Sequence, residues 1–192
     1  RITQTRPPLE TISLKKAEQQ IEQTISRWVS GEGPDTLVLS VTVGAGKTTT
    51  AVSVLKKYLE ANPEEKLLWA FPTHEQGEEV REKFGEDLAI RIEGRVRETA
   101  EPLCSRPQKI HAIREAGLNR FTARIACESG NLRCGDWFGC EYYRQFRGEH
   151  RVRLIPHQYL TTPDARVFDK FADSVLGMVI DESPLGVLIS HT

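Results

Sequence analysis

The feature that most constrains this chain is a short glycine-rich segment between a strand-like run and a helix-like run. Residues 36–43 read TLVLSVTV, a β-branched and leucine-rich run that predicts a strand covered on both faces. Residues 48–60 carry apolar side chains at helical spacing along one side. The segment that joins them, Val41 to Thr50, reads VTVGAGKTTT. A buried strand, a glycine loop and a helix in this order predict an α/β fold.

The residues of this loop suit a nucleoside triphosphate. Glycines let the main chain approach phosphate oxygens closely, and the N-terminus of a helix favours anions. Lys47 would meet the β- and γ-phosphates, and the Thr48 hydroxyl would ligate magnesium. An accidental lysine in a glycine-rich turn is the alternative. We therefore expect ATP and Mg²⁺ as cofactors, bound by Gly44, Ala45, Gly46, Lys47, Thr48 and Thr49.

Strand-like and helix-like runs alternate along much of the chain, which predicts a parallel sheet with helices on its faces. We predict helices over Ser13–Trp28, Thr48–Glu60 and Thr73–Phe84, and strands over Leu67–Phe71, Leu88–Ile92, Arg151–Ile155 and Val175–Ile180. The regular pattern stops between Gly94 and His150. We therefore predict one domain over residues 1–192 that carries an inserted module at about 94–150.

Two adjacent acids follow the last predicted strand, in the sequence VIDE at residues 179–182. At the carboxyl end of a strand, Asp181 would hold magnesium through a water molecule, and Glu182 would orient and deprotonate the attacking water. Lys47 and Glu182 are accordingly the expected catalytic residues. Acid pairs also end strands at protein surfaces, and that is the alternative for these two.

All four cysteines, Cys104, Cys127, Cys134 and Cys140, lie in the inserted module. Four thiolates that converge on one centre can hold zinc or an iron–sulfur cluster. The spacings do not match paired CxxC zinc knuckles, so they do not select a metal. Simple burial is the third possibility, since free cysteine is commonly buried.

Taken together, these motifs resemble the first RecA-like lobe of a superfamily 2 DNA helicase of the XPD/DinG iron–sulfur type. The glycine-rich loop looks like motif I with a relaxed first glycine, Phe71-Pro72-Thr73 looks like motif Ia, and VIDE looks like motif II. All four cysteines fall between Thr73 and Asp181, as in those helicases. The segment RVRLIPHQYL at residues 151–160 is similar to their NHxxL-like stretch, with Pro156 in place of the asparagine.

The resemblance implies an ATP hydrolase with a P-loop that translocates on single-stranded DNA, and a 4Fe–4S cluster on the four cysteines, with zinc as the alternative. It implies that Thr73 touches the DNA backbone. It also implies a second RecA-like lobe that this chain lacks, so that the fragment alone hydrolyses ATP weakly. The other reading is a metal-stapled nucleic-acid-binding or primase-associated module whose P-loop acts as a nucleotide switch.

Charge is spread unevenly, although the net charge is only −1. Residues 91–153 contain 13 arginines and lysines against 8 acids, which suits either a solvated surface or a phosphate track. Single strands bind to aromatic rings and arginines, so the candidates for DNA contact in the module are Trp137, Phe138, Tyr142, Tyr143, Arg144 and Arg147. Packing in the module's core is the alternative, and it is the one we expect for Trp137 and Phe138.

The sequence has no apolar run long enough to span a bilayer and no start that resembles a signal peptide. We therefore expect no membrane partner and a cytoplasmic location. The chain begins at Arg1, and its only methionine is Met178, so we expect an excised fragment.

Overall fold

The computed structural model describes residues 12–39, 44–97, 101–118, 121–129, 132–136, 138–160 and 175–182. The chain divides into two compact units, Arg1–Ala61 and Asn62–Thr192. Within the described residues, no helix is long and apolar enough to cross a membrane. The prediction of one domain stays a prediction.

The first unit contains two helices that pack together, α1 (Leu14–Val29) and α2 (Lys47–Ala61). Ser13 is the N-cap of α1, and its hydroxyl accepts a hydrogen bond from the Lys16 amide at 3.3 Å. The buried side chains of α1 repeat every four residues, at Ala17, Ile21, Ile25 and Val29. Both helices were predicted from this periodicity, and both bounds agree within one residue.

The strand predicted over residues 36–43 is not found where the structure can test it. Residues 36–39 belong to no strand, and the side chain of Val38 is 82% exposed. Residues 40–43 lie outside the described residues. A β-branched run forms a strand only where it can hydrogen-bond to neighbouring strands. Strand propensity alone therefore wrongly predicted a strand at residues 36–39.

The second unit is built on a four-stranded parallel sheet of β1 (Lys66–Phe71), β2 (Ala89–Arg91), β5 (Val152–Pro156) and β6 (Val175–Ile180), in the order β2-β5-β1-β6. Two further described strands, β3 (Glu128–Ser129) and β4 (Leu132–Arg133), pair antiparallel in a separate small sheet. The four predicted strands of the sheet are confirmed, with ends that differ by one residue at most. The fold class of the described sheet is α/β with parallel strands.

The centre of the sheet is buried on both faces, as expected for parallel strands, and it includes one buried charged residue, Arg153 of β5. Leu67–Phe71 of β1 and all of β5 are buried. Leu67 lies opposite Val152, and Trp69 lies opposite Leu154. The Trp69 ring meets the Phe84 ring of α3 (His74–Phe84) edge to face, with centroids 5.9 Å apart. This packing attaches α3 to the sheet.

The module between residues 94 and 150 has its own small core. Its helices are α4 (Pro107–Glu115), a π-helical turn (Ala123–Cys127) and α5 (Glu141–Arg144). The buried residues of this core are Ile110, Ile113, Ala126, Cys127, Tyr142 and Tyr143. Gln145 links the module to the segment that follows β2. Its side-chain amide accepts a hydrogen bond from the Glu93 N–H at 2.7 Å and donates one to the Glu93 carbonyl at 3.3 Å.

Candidate functional site

The glycine-rich loop leads directly into α2, which begins at Lys47. Gly44 and Gly46 have φ angles of 84° and 69°, in the left-handed region that favours glycine. The Gly46 carbonyl accepts a hydrogen bond from the Thr50 amide at 2.8 Å and so closes the first turn of the helix. This local geometry suits an anion, and Val41 to Val43 lie outside the described residues.

The acid pair lies at the carboxyl end of β6. The Asp181 amide donates to the Ala70 carbonyl of β1 at 2.9 Å, so Asp181 follows directly on the last pairing of these two strands. Glu182 is exposed and has a φ angle of 62°, the only positive value among the described non-glycine residues. Carboxyl ends of parallel strands are where open α/β sheets bind ligands. The predicted positions of both acids at this edge agree with the structure.

Thr73 is the N-cap of α3 at the same edge of the sheet. Its hydroxyl accepts from the Gln76 amide at 3.3 Å, as the spacing of these residues predicts. A full capping box would also have the Gln76 side chain accept from the Thr73 amide. Instead, the Thr73 hydroxyl donates to Gln76 Oε1 at 3.1 Å. Gln76 Nε2 is a separate donor that can bond to another acceptor.

That acceptor is Glu182. Gln76 Nε2 donates to Glu182 Oε1 at 3.2 Å, across 106 residues of sequence. This bond was not predicted from the sequence. The one signal in the sequence is that Glu182 and the start of α3 each come shortly after a strand expected in one parallel sheet, which brings them to a common edge.

All four cysteines belong to the module, and three of them lie in its hydrophobic core or at the border of that core. Cys127 belongs to the buried core, and Cys104 and Cys140 pack against that core. Burial raises the pKa of the Cys104 thiol, and the neighbouring Cys127 and Cys140 raise it further. The Cys134 amide donates to the Cys127 carbonyl at 2.9 Å. Cys134 is thus linked to the core through its backbone.

The thiols do not form a closed metal site. In the part of the chain that the structure describes, no three histidine, cysteine, aspartate or glutamate side chains are grouped closely enough to hold a metal ion. Cys134 Sγ lies 4.0 Å from Asp136 Oδ2, at the exposed side of the module. The donor set has the chemistry of a zinc or iron–sulfur site. A metal would have to draw the thiols closer together than they lie in this structure.

A half-buried guanidinium, that of Arg95, lies beside the thiols. The Cζ atom of Arg95 is 4.0 Å from the centroid of the Tyr142 ring, and its Nη2 donates to the Tyr143 hydroxyl at 3.3 Å. The Arg95 carbonyl accepts from the Cys104 amide at 3.1 Å. Burial raises the pKa of Tyr143, and hydrogen bonding with Cys127 raises it further. Arg95 was not among the predicted site residues.

The aromatic candidates for DNA contact do not all lie on the surface. Tyr142 and Tyr143 are 2% and 4% exposed, so they form the module's core and cannot stack on bases. Phe138 is 82% exposed, which contradicts the prediction that it packs in the core. Trp137 lies outside the described residues. The sequence analysis therefore exchanged the roles of Phe138 and the two tyrosines.

The two predicted arginines are on the surface. Arg144 is exposed and donates to the Glu141 carboxylate at 2.9 Å within α5. Arg147 is exposed and donates to the Phe138 carbonyl at 3.0 Å. Exposed ion pairs of this kind contribute little to stability and exchange readily for other partners. Both side chains are accessible to a ligand.

Comparison of the chain with protein-family models, curated proteins and solved structures found no match.

Proposed function

We propose that this chain is the ATP-binding lobe of an ATP-dependent DNA helicase that moves on single-stranded DNA, with a RecA-like fold and a metal-bound cysteine module. The observation that carries the proposal is the sequence GAGKT at the start of α2. Its two glycines adopt left-handed backbone angles, as a loop that wraps a phosphate requires. Lys47 and Thr48 are then the ligands of the phosphates and of magnesium.

The acid pair supplies the hydrolytic part of the proposal. Asp181 follows the β6 strand at the ligand-binding edge of a parallel sheet, which supports a role in holding magnesium through water. Glu182 is exposed there and carries a carboxylate that can accept the proton of an attacking water. The resemblance to helicase motif II is the source of both roles.

The module supplies the contact with nucleic acid. Arg144, Arg147 and the exposed Phe138 ring combine cations with an aromatic face, which suits the phosphates and bases of a single strand. A metal on the four cysteines, as a 4Fe–4S cluster or as zinc, would fasten α5 to the rest of the module. The packing of Cys104 and Cys140 on the core around Cys127 supports this assignment.

Titration with a fluorescent ATP analogue in the presence of Mg²⁺ tests the nucleotide site. Lys47→Ala should weaken binding at least about tenfold, because it removes the charged donor to the β- and γ-phosphates. Lys57→Ala is the matched control, since Lys57 is exposed on the same helix, and it should bind as the wild type does. Equal affinity for the Lys47→Ala variant and the wild type would overturn the site assignment.

ATP hydrolysis separates a motor lobe from a nucleotide switch. The wild-type chain should hydrolyse ATP slowly, and single-stranded DNA should accelerate it. Glu182→Gln should abolish hydrolysis and leave nucleotide binding intact, because it removes the proton acceptor. Binding without hydrolysis in the wild type, with or without DNA, would favour the switch.

A further inference from the structure

Three side chains form a connected hydrogen-bond chain along the carboxyl edge of the sheet. The Thr73 hydroxyl donates to Gln76 Oε1 at 3.1 Å, and Gln76 Nε2 donates to Glu182 Oε1 at 3.2 Å. A side-chain amide can accept from the first partner through its oxygen and donate to the second through its nitrogen at the same time. Glutamate cannot donate when ionised, and lysine cannot accept. Glutamine at position 76 therefore suits both the Thr73 hydroxyl and the Glu182 carboxylate.

The residues next to Gln76 and Glu182 are both held against β1. A Cβ atom added at Gly77 would lie 2.7 Å from the Phe71 Cζ atom, so the first turn of α3 packs directly on the end of β1. On the other side, the Asp181 amide bonds to the Ala70 carbonyl at 2.9 Å. Gln76 and Glu182 are thus placed by adjacent residues of one buried strand.

The backbone angle of Glu182 is further evidence that the surrounding structure fixes this residue. Its φ angle of 62° is in the left-handed region that residues with a Cβ rarely adopt. Such angles persist where the surrounding structure determines them, and they concentrate at functional sites. The bond from Gln76 is a contact that helps to determine the direction of this carboxylate.

The Thr73 hydroxyl has one proton to donate. In this structure the proton goes to Gln76 Oε1. A phosphodiester oxygen has no proton and can only accept, so a hydroxyl that binds a nucleic-acid backbone must give its proton to the phosphate. Occupation of Thr73 by a phosphate would therefore remove one of the two bonds that orient the Gln76 amide.

We propose that Gln76 is a positioning residue that couples the Thr73 hydroxyl to the Glu182 carboxylate, so that a phosphodiester bound at Thr73 changes how Glu182 is held. This inference rests on the proposed function, in which Glu182 activates water and Thr73 meets the DNA backbone. By linkage, the coupling works in both directions: a state of the nucleotide site that moves Glu182 also alters the affinity of Thr73 for the strand.

A double-mutant cycle on the melting temperature tests the contact itself, without nucleotide or DNA. Gln76→Glu places two carboxylates in contact, and repulsion between them should lower Tm by about 1 °C more in the wild-type background than in the Glu182→Gln background. The cycle cancels any effect of the new charge on α3 alone. Gln108→Glu, at an exposed position of α4 in the same unit, should show no difference between the two backgrounds. Equal shifts for Gln76→Glu in both backgrounds would overturn the contact.

A second experiment tests the coupling. Gln76→Ala should bind the fluorescent ATP analogue as the wild type does. Its single-turnover hydrolysis without DNA, measured with protein in excess, should be about tenfold faster than that of the wild type, because Gln76 no longer holds the Glu182 carboxylate, and a single-stranded oligonucleotide should accelerate it no further. Thr73→Val, which keeps the shape and removes the hydroxyl, should abolish the acceleration by a single-stranded oligonucleotide. Wild-type rates and wild-type acceleration in both variants would overturn the inference.

The outcomes distinguish this inference from the proposed function. Unchanged nucleotide affinity in Lys47→Ala refutes the nucleotide site, whatever Gln76 does. Loss of binding in Lys47→Ala, together with wild-type hydrolysis in Gln76→Ala, leaves the function standing and refutes the role of Gln76. If hydrolysis is undetectable in the wild type, the motor function fails, and the thermal cycle still decides the contact between Gln76 and Glu182.

Discussion

The four-stranded sheet and the cysteine module differ in what holds them together. The strands β1 and β5 are buried along nearly their whole length, and their side chains pack on one another and on α3. Among the residues that the structure describes, the core of the module has six buried members, and Cys104 and Cys140 border it. Apolar burial is enough to specify the sheet. The module combines a small core with groups that can bind a metal, so a ligand has more to contribute there.

The two regions also treat charge differently. At the sheet edge, Glu182 is exposed and can meet a solvated ligand. In the module, the Arg95 guanidinium is packed against the Tyr142 ring and the Tyr143 hydroxyl, beside the thiol of Cys127. Burial nevertheless raises the pKa of the neighbouring Cys104 thiol, so a metal that binds there has to displace the thiol proton.

The largest effect should come from the core of the sheet. Phe71 is 1% exposed, and its ring fills the space over Gly77. Phe71→Ala should therefore lower the free energy of unfolding by about 3–5 kcal/mol in urea denaturation. Phe138→Ala is the control from the module, since that ring is 82% exposed, and it should change stability by less than about 0.5 kcal/mol. Similar losses in both variants would contradict the contrast between the two regions.

An intermediate effect should come from Arg95. Arg95→Met removes the cation over Tyr142 and leaves the buried Tyr143 hydroxyl without this donor, at a cost of about 1–3 kcal/mol. Hydrogen exchange should show the loss in α4 and α5, with the amides of β1 unaffected. Arg144→Met, at an exposed position of α5, should leave exchange unchanged. Faster exchange throughout the sheet in Arg95→Met would show that the module has no core of its own.

The smallest effect should come from the surface of α3. A hydrogen bond from Arg81 lowers the pKa of Glu78, while partial burial opposes the shift. A lowered carboxyl pKa stabilises the fold above the unfolded value of 4.5, and this contribution is lost as the pH falls through the folded pKa. Glu78→Gln should therefore cost less than about 1 kcal/mol at neutral pH and nothing in acid. Thermal melts at several pH values measure this cost, with Glu82→Gln as the control. A stability difference between Glu78→Gln and the wild type that persists in acid would contradict the prediction.

Most of the sheet could be predicted from the sequence, because buried parallel strands and amphipathic helices have distinct periodicities. The strand over residues 36–43 failed in its described part for the opposite reason. Its residue types suit a strand, but pairing depends on partners elsewhere in the chain, which a local pattern does not contain.

The candidate site was predictable only in part. Local motifs identified Lys47, Thr73 and Glu182, since each depends on residues within a few positions of it. The bond between Gln76 and Glu182 depends on the sheet order, which places β6 beside β1. In the module, residue type could not separate a stacking surface from a core, because both use aromatic rings, and so Phe138 and Tyr142 were assigned to the wrong places.

Metal content with a visible absorption spectrum, measured on protein purified without oxygen, tests most directly the claim that the module depends on a ligand and the sheet does not. We predict iron with sulfide and a broad brown absorption, both lost in Cys127→Ser, while the circular dichroism of the helices and sheet persists. Zinc in place of iron would support a metal-bound module and refute the iron–sulfur cluster. A wild-type chain that binds no metal, with a module that is nevertheless as well protected from hydrogen exchange as the sheet, would contradict the account.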